Sequence, residues 1–104
     1  MTEILIVSKS YKERVEWFKY LYECLRTDNN FHSAVYSCNI WVGDFFIKLC
    51  VNDDSCYRGM RPNYHYCNGL EESEFYLLSR GSKSLPDLAS VVELVKKGAT
   101  NDLE

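Results

Sequence analysis

The spacing of hydrophobic residues in this 104-residue chain predicts a buried strand followed by an amphipathic helix. The run from Glu3 to Val7 (EILIV) is short, apolar and β-branched at three positions, which is typical of a buried strand. Ser10 and Glu13 then have the spacing of a capping box. Apolar residues follow at steps of four and three, which predicts a helix over Ser10–Arg26. Its expected core stripe consists of Tyr11, Val15, Phe18, Tyr22 and Leu25, widened by Trp17, Leu21 and Cys24.

The middle of the chain has the period of two that is typical of strands. The runs 32–41 (HSAVYSCNIW) and 44–51 (DFFIKLCV) are joined by Val42-Gly43, so they predict an antiparallel hairpin. One face of the second run is apolar throughout and is expected to enter the core: Phe45, Ile47, Leu49 and Val51.

The last third of the chain predicts a short strand and two helices. Tyr64–Cys67 reads as a strand with its tyrosines on one face, and a helix over Leu70–Arg80 is expected to stop at Gly81. A final helix is expected to start near Ser84 and to end at Lys96-Lys97-Gly98.

The predicted order is therefore β-α-β-β-β-α-α. This order favours an α/β fold, with α+β as the alternative: a small mixed sheet that contains an antiparallel hairpin and has helices packed on it. Residues 1–98 are expected to form a single domain and residues 99–104 a flexible tail, in which Leu103-Glu104 resembles an expression-tag junction.

Composition and charge narrow the function classes. The net charge is −3 at pH 7 and the basic residues are scattered, so nucleic-acid binding is not expected. No apolar run approaches the ~20 residues of a membrane span, and the first residues do not resemble a secretion signal. Five cysteines, an odd number, then favour reduced thiols and a cytoplasmic location.

The segment from Cys56 to Gly69 (CYRGMRPNYHYCNG) carries the most specific motif, an Arg-Gly-x-Arg-Pro turn before a short aromatic strand. Together with the first strand and helix, it resembles the first half of P-loop ATPases of the phage large-terminase type, over Glu3–Asn68. That resemblance implies a phosphate loop after the first strand and a metal-binding acid after the later one. Ser8-Lys9-Ser10 contains no glycine and Asn68 replaces the acid. The resemblance therefore implies a derivative that does not hydrolyse nucleotide, of the kind expected in phages or mobile elements.

Metal and nucleophile chemistry find little support in the spacing of residues. Cys50, Cys56, His65 and Cys67 follow the pattern C-x5-C-x8-H-x-C, which lacks the close ligand pairs of structural zinc sites. No glycine-rich nucleophile elbow surrounds a cysteine near His65. We therefore predict no metal, no cofactor and no catalytic residue.

Aromatic residues make up 14% of the chain, more than one small core can bury. Tyrosine and tryptophan beside arginine are typical of protein interfaces. We therefore predict a non-enzymatic protein-binding or regulatory domain, such as an inhibitor that a phage or mobile element directs against a host defence protein. The expected contact residues are Trp41, Arg58, Arg61, Tyr64 and Tyr66.

Two alternatives accompany this prediction. The first is a degenerate nucleotide- or phosphate-binding module without hydrolysis, which would use Lys9, Ser10 and Arg58. The second is a homo-oligomer formed through exposed aromatic residues or the edge of the hairpin.

Overall fold

The computed structural model of the protein describes residues 1–28 and 30–102, with side chains at all of these positions except 54 and 99–102. The strands are β1 (Thr2–Ser8), β2 (Phe31–Ala34), β3 (Asn39–Val42), β4 (Phe45–Val51), β5 (Tyr64–Tyr66) and β6 (Lys83–Ser84). The helices are α1 (Tyr11–Leu25), α2 (Asp54–Tyr57), α3 (Glu71–Ser79) and α4 (Leu88–Asp102).

The strands form one mixed sheet in the order β2-β3-β4-β1-β5-β6. The neighbours β4, β1, β5 and β6 are parallel, whereas β2, β3 and β4 pair antiparallel. Side chains of α1 and α4 pack on one face with those of Ile4 and Ile6, and side chains of α2 and α3 pack on the other with those of Leu5 and Val7. The predicted α/β class is confirmed, and helices cover β1 on both sides, as its continuous apolar run requires.

The hairpin region contains one more turn than its sequence predicts. The first run divides into β2 and β3 at residues 35–38, where Cys38 takes a positive φ of 53° and its N–H donates to the carbonyl oxygen of Val35 at 3.2 Å. The period of two in β4 is confirmed for Phe45, Ile47 and Leu49, which are all buried, whereas Val51 at the end of the strand is only half-buried.

Two short elements were missing from the prediction. The helix α2 forms where the Asp53 carboxylate accepts a hydrogen bond from the Ser55 N–H at 3.0 Å. The strand β6 forms because the Lys83 N–H donates to the Asn63 carbonyl at 3.0 Å and the Leu85 N–H to the His65 carbonyl at 2.8 Å. The hydrogen bonds of β6 join residues about 20 positions apart, so local sequence patterns do not reveal this strand.

The predicted helix over Ser10–Arg26 is confirmed as α1. The Ser10 hydroxyl accepts a hydrogen bond from the Glu13 N–H at 3.1 Å, as a cap does. The core face is shorter than predicted, because Tyr11 and Val15 remain 70% and 42% exposed. The helix starts just beyond the end of β1, so its first turns have little sheet to pack against.

The last helix differs from the prediction at both ends. It begins at Leu88, where the Asp87 carboxylate accepts a hydrogen bond from the Ser90 N–H at 2.8 Å, and it continues past Gly98. Gly98 lies inside the helix against the ring of Phe45 and does not end it. The flexible tail at residues 99–104 stays a prediction, and Leu103-Glu104 lie outside the described residues.

The expectation of five reduced thiols is wrong at one pair. Cys50, at the end of β4, and Cys56, in α2, form a disulfide with their Cα atoms 6.0 Å apart, because the loop between them folds back onto the sheet. Cys24, Cys38 and Cys67 remain free thiols.

None of the described helices is long and apolar enough to cross a membrane.

Candidate functional site

The sheet has two ends that differ in charge. We define the carboxyl edge as the ends of β1 and β5 together with the loops 8–10 and 67–70. After β1 the chain passes to the face of the sheet that α1 covers, and after β5 it passes to the opposite face, which α3 covers. Open α/β sheets usually bind ligands at such a point. Lys9, Ser10 and Asn68 all belong to this edge.

The carboxyl edge does not favour an anion. The Glu13 carboxylate accepts a hydrogen bond from the Lys9 N–H at 2.9 Å, so a side-chain anion already occupies the start of α1. Burial raises the pKa of Tyr66, and the nearby carboxylates of Glu13 and Asp87 raise this pKa further. A bound phosphate would meet the same negative charges.

Arg58, the third residue of the predicted phosphate site, belongs to a different cluster. Its guanidinium lies 5.5 Å from the centre of the Tyr76 ring and 3.8 Å from the Glu72 carboxylate, both on α3. The Tyr76 hydroxyl accepts the Gly59 N–H at 2.8 Å and contacts the Arg80 guanidinium at 3.2 Å. These hydrogen bonds, the one from Gly59 first, lower the pKa of Tyr76. They dock the Arg-Gly-x-Arg-Pro turn onto α3.

The opposite, amino edge of the sheet carries a basic cleft of about 410 Å³. We use the name basic cleft for the surface lined by Arg61, Tyr64, Arg80 and Lys83, together with Thr2, Phe45 and the Pro62-Asn63 turn. Its charged side chains, among the described residues, are the two arginines and the lysine. Such a cleft presents several donors to a negatively charged group.

Hydrogen bonds of Asn63 fix the turn at the base of the basic cleft. The Asn63 side-chain oxygen accepts the Glu3 N–H at 2.8 Å, and the Asn63 N–H donates to the Glu3 carbonyl at 2.9 Å. Asn63 also accepts the Lys83 N–H, so it joins β1 to β6. Pro62 is buried beside it and limits the backbone of the turn. The backbone that carries the basic residues is therefore held in place by hydrogen bonds to β1 and β6.

The structure separates the predicted contact residues. Arg61 and Tyr64 line the basic cleft together. Tyr66 packs against Trp17 of α1 with ring centres 5.3 Å apart. Trp41 lies on the other face of the sheet, stacked on Phe46 at 5.1 Å. The set therefore does not form one surface.

Sequence reasoning missed Arg80 and Lys83 as partners of Arg61. They flank Gly81-Ser82, directly after α3, and a pair of basic residues around a helix-ending glycine was the only local signal. Their approach to Arg61 depends on the pairing of β6 with β5, which follows from the fold.

A buried cluster lies near the carboxyl edge, on the α3 side of the sheet. His65 is fully buried, with Nδ1 2.7 Å from the Ser82 hydroxyl oxygen and Nε2 2.7 Å from the Glu74 carboxylate. Cys67 is buried beside them, and burial, reinforced by Glu74, raises its thiol pKa to about 12. We call these four residues the His65 cluster.

The His65 cluster differs from both catalytic and metal sites considered in the sequence. A thiol with so high a pKa is a poor nucleophile near neutral pH. Cys50 and Cys56 pair with each other, so they do not join His65 and Cys67. The third residue beside His65 and Cys67 is instead Glu74, one turn into α3. The spacing of cysteines and histidine in the sequence did not indicate this glutamate.

Searches of protein-family models, curated proteins and solved structures returned no match to this chain.

Proposed function

We propose that this protein is a non-enzymatic binding domain and that its basic cleft holds an acidic segment of another protein. The observation that carries the proposal is the convergence of Arg61, Arg80 and Lys83 around one cleft in a chain whose net charge is −3. A local group of three cations produces positive potential at one place. In a protein that is acidic overall, this place differs in sign from the net charge of the molecule.

The composition of the cleft suits a peptide. Tyr64 and Phe45 add aromatic surface beside the cations, and arginine and tyrosine are both enriched among the residues that anchor protein interfaces. Arg80 is already oriented by the Tyr76 hydroxyl, so less side-chain freedom is lost when it binds a carboxylate. The idea that the partner is a host defence protein rests only on the phage-type resemblance and extends this proposal.

The phosphate-binding alternative at Lys9, Ser10 and Arg58 is less favoured. The Glu13 carboxylate occupies the start of α1, and Arg58 stacks on Tyr76 of α3. An anion at the carboxyl edge would therefore have to displace Glu13 and approach other acidic groups.

A direct test uses a fluorescent oligo-glutamate peptide that contains one tyrosine. We expect its binding, followed by anisotropy, to weaken as salt rises and to be lost in Arg61→Glu. Lys12→Glu is the matched control, because it makes the same charge change at an exposed position on α1. Equal losses in both variants would indicate that only net charge matters and would contradict the proposal.

A thermal-shift assay separates the alternative. We expect ATP or GTP with Mg²⁺ to leave the melting temperature unchanged. A rise of several degrees that Lys9→Ala abolishes and Arg61→Glu retains would favour the phosphate module. Nucleotide hydrolysis by the purified protein would contradict both functions.

A further inference from the structure

We propose that His65, Cys67 and Glu74 form a binding site for a divalent transition-metal ion, with Zn²⁺ as the expected occupant. The proposal is independent of the basic cleft, which lies at the other edge of the sheet. It departs from the expectation from sequence that the chain binds no metal.

The fold brings three different donor atoms together. Alternation along β5 places His65 and Cys67 on the face that α3 covers, and α3 places Glu74 above them. One imidazole nitrogen, the thiol sulfur and one carboxylate oxygen all lie within 4.8 Å of one another. A tetrahedral zinc ion with bonds of ~2.0–2.3 Å separates its ligands by about 3.3–3.6 Å. Side-chain adjustments of roughly an ångström are therefore enough to close the site.

Ser82 supplies the outer contact that a metal-binding histidine needs. Its hydroxyl oxygen lies 2.7 Å from His65 Nδ1, and both side chains are buried. When Nδ1–H donates to this oxygen, the lone pair of Nε2 points toward Glu74 and is available to a cation. Metal-binding histidines are regularly oriented in this way by a hydrogen bond at the second nitrogen.

A cavity of about 250 Å³ gives access to the cluster. Cys67 and Glu74 both contribute to its wall, as does the turn at Asn68-Gly69. The Glu74 side chain is 30% exposed, so it can turn toward an entering ion. A water molecule in the cavity can supply the fourth ligand, which three protein donors leave open.

The donor set defines the class of metal. Thiolate and imidazole favour Zn²⁺ and Co²⁺ over Mg²⁺ and Ca²⁺, which prefer an all-oxygen shell. Binding exchanges the thiol proton of Cys67 for the metal, and that proton leaves to solvent.

Cobalt substitution provides the test. The metal-stripped chain is titrated with Co²⁺ and then with Zn²⁺ in competition. We expect one ion per chain, a sulfur-to-cobalt charge-transfer absorption in the near ultraviolet, and loss of that absorption when Zn²⁺ displaces cobalt. Wild-type protein without this absorption would overturn the proposal.

The variants identify the ligands. Cys67→Ser removes the sulfur with almost no change in volume and should abolish the charge-transfer absorption, whereas Cys24→Ser, at another free thiol, should retain it. Ser82→Ala should weaken Co²⁺ binding by about 10–100-fold, because it removes the hydrogen bond that orients His65. Glu74→Gln should weaken binding at least as much, because it removes the charge of a direct ligand. Far-ultraviolet circular dichroism checks that each variant is folded. Retention of the absorption in Cys67→Ser, or its loss in Cys24→Ser, would contradict the assignment.

Discussion

Gly98 offers a sharp test of how α4 packs on the sheet. The φ of this glycine is not positive, unlike that of the other four glycines, so its backbone suits a helix. A Cβ built on it would lie 2.6 Å from Cζ of the Phe45 ring. Real Cβ atoms do not approach so closely, so alanine requires the ring to move. Phe45 is only 8% exposed, which leaves the ring little room to do so.

Two opposing effects set the magnitude for Gly98→Ala. Replacing glycine by alanine inside a helix is worth about 1 kcal/mol. Overfilling a packed core costs about 1–3 kcal/mol. We therefore expect a net loss of about 1 kcal/mol in the free energy of unfolding, from a cost near 2 and a gain near 1.

A double-mutant cycle isolates the clash. Phe45→Leu removes the two ring atoms nearest to the built Cβ, so in that background Gly98→Ala should stabilise the protein by about 1 kcal/mol. Urea denaturation followed by circular dichroism measures each free energy, with unchanged m-values as the check on two-state behaviour. Glu93→Ala, at an exposed position on the same helix, should have the same effect in both backgrounds.

Two results would refute this reasoning. If Gly98→Ala stabilises both backgrounds equally, the ring does not cover the glycine. If it destabilises both equally, Gly98 ends the helix in a left-handed conformation, as its sequence position predicts.

Three further predictions concern stability. Leu77→Ala should lower the free energy of unfolding by about 2–5 kcal/mol because Leu77 is fully buried. The same substitution at its neighbour Leu78, which is 49% exposed, should change that free energy by less than about 0.5 kcal/mol. Similar losses for both variants in urea denaturation would contradict the assigned buried face of α3. Ser10→Ala should cost about 0.5–2 kcal/mol through loss of the α1 cap, and an unchanged urea midpoint would exclude that cap. In metal-free protein the thiol pKa of Cys67 rises from 9.0 to about 12 on folding, so the contribution of the protonated thiol to the free energy of unfolding is complete below pH 9 and is lost as pH rises toward 12. Cys67→Ala should therefore flatten the alkaline limb of a stability–pH profile. An unaltered limb would assign the alkaline loss of stability to other groups.

Local patterns determined the parts of the fold whose cause is local. Five consecutive residues suffice to show that β1 is buried on both faces, and Ser10 with Glu13 marks the start of α1. The alternation of Tyr64 and Tyr66 against His65 was also readable, because side chains of a strand point to opposite faces. Each of these features depends on residues within a few positions of one another.

Tertiary structure alone decided the sites. Arg61 meets Lys83 only because β6 pairs with β5, and His65 meets Glu74 only because α3 folds back across the sheet. Tertiary structure also explains why a glycine lies inside α4 at position 98, since the Phe45 ring of β4 occupies the space that a side chain would need. Hydrophobic spacing specifies which face of an element is buried, but it does not specify which distant residue covers that face. Strand order supplies that information, and it places three cations at one edge of the sheet and a nitrogen, sulfur and oxygen donor set at the other.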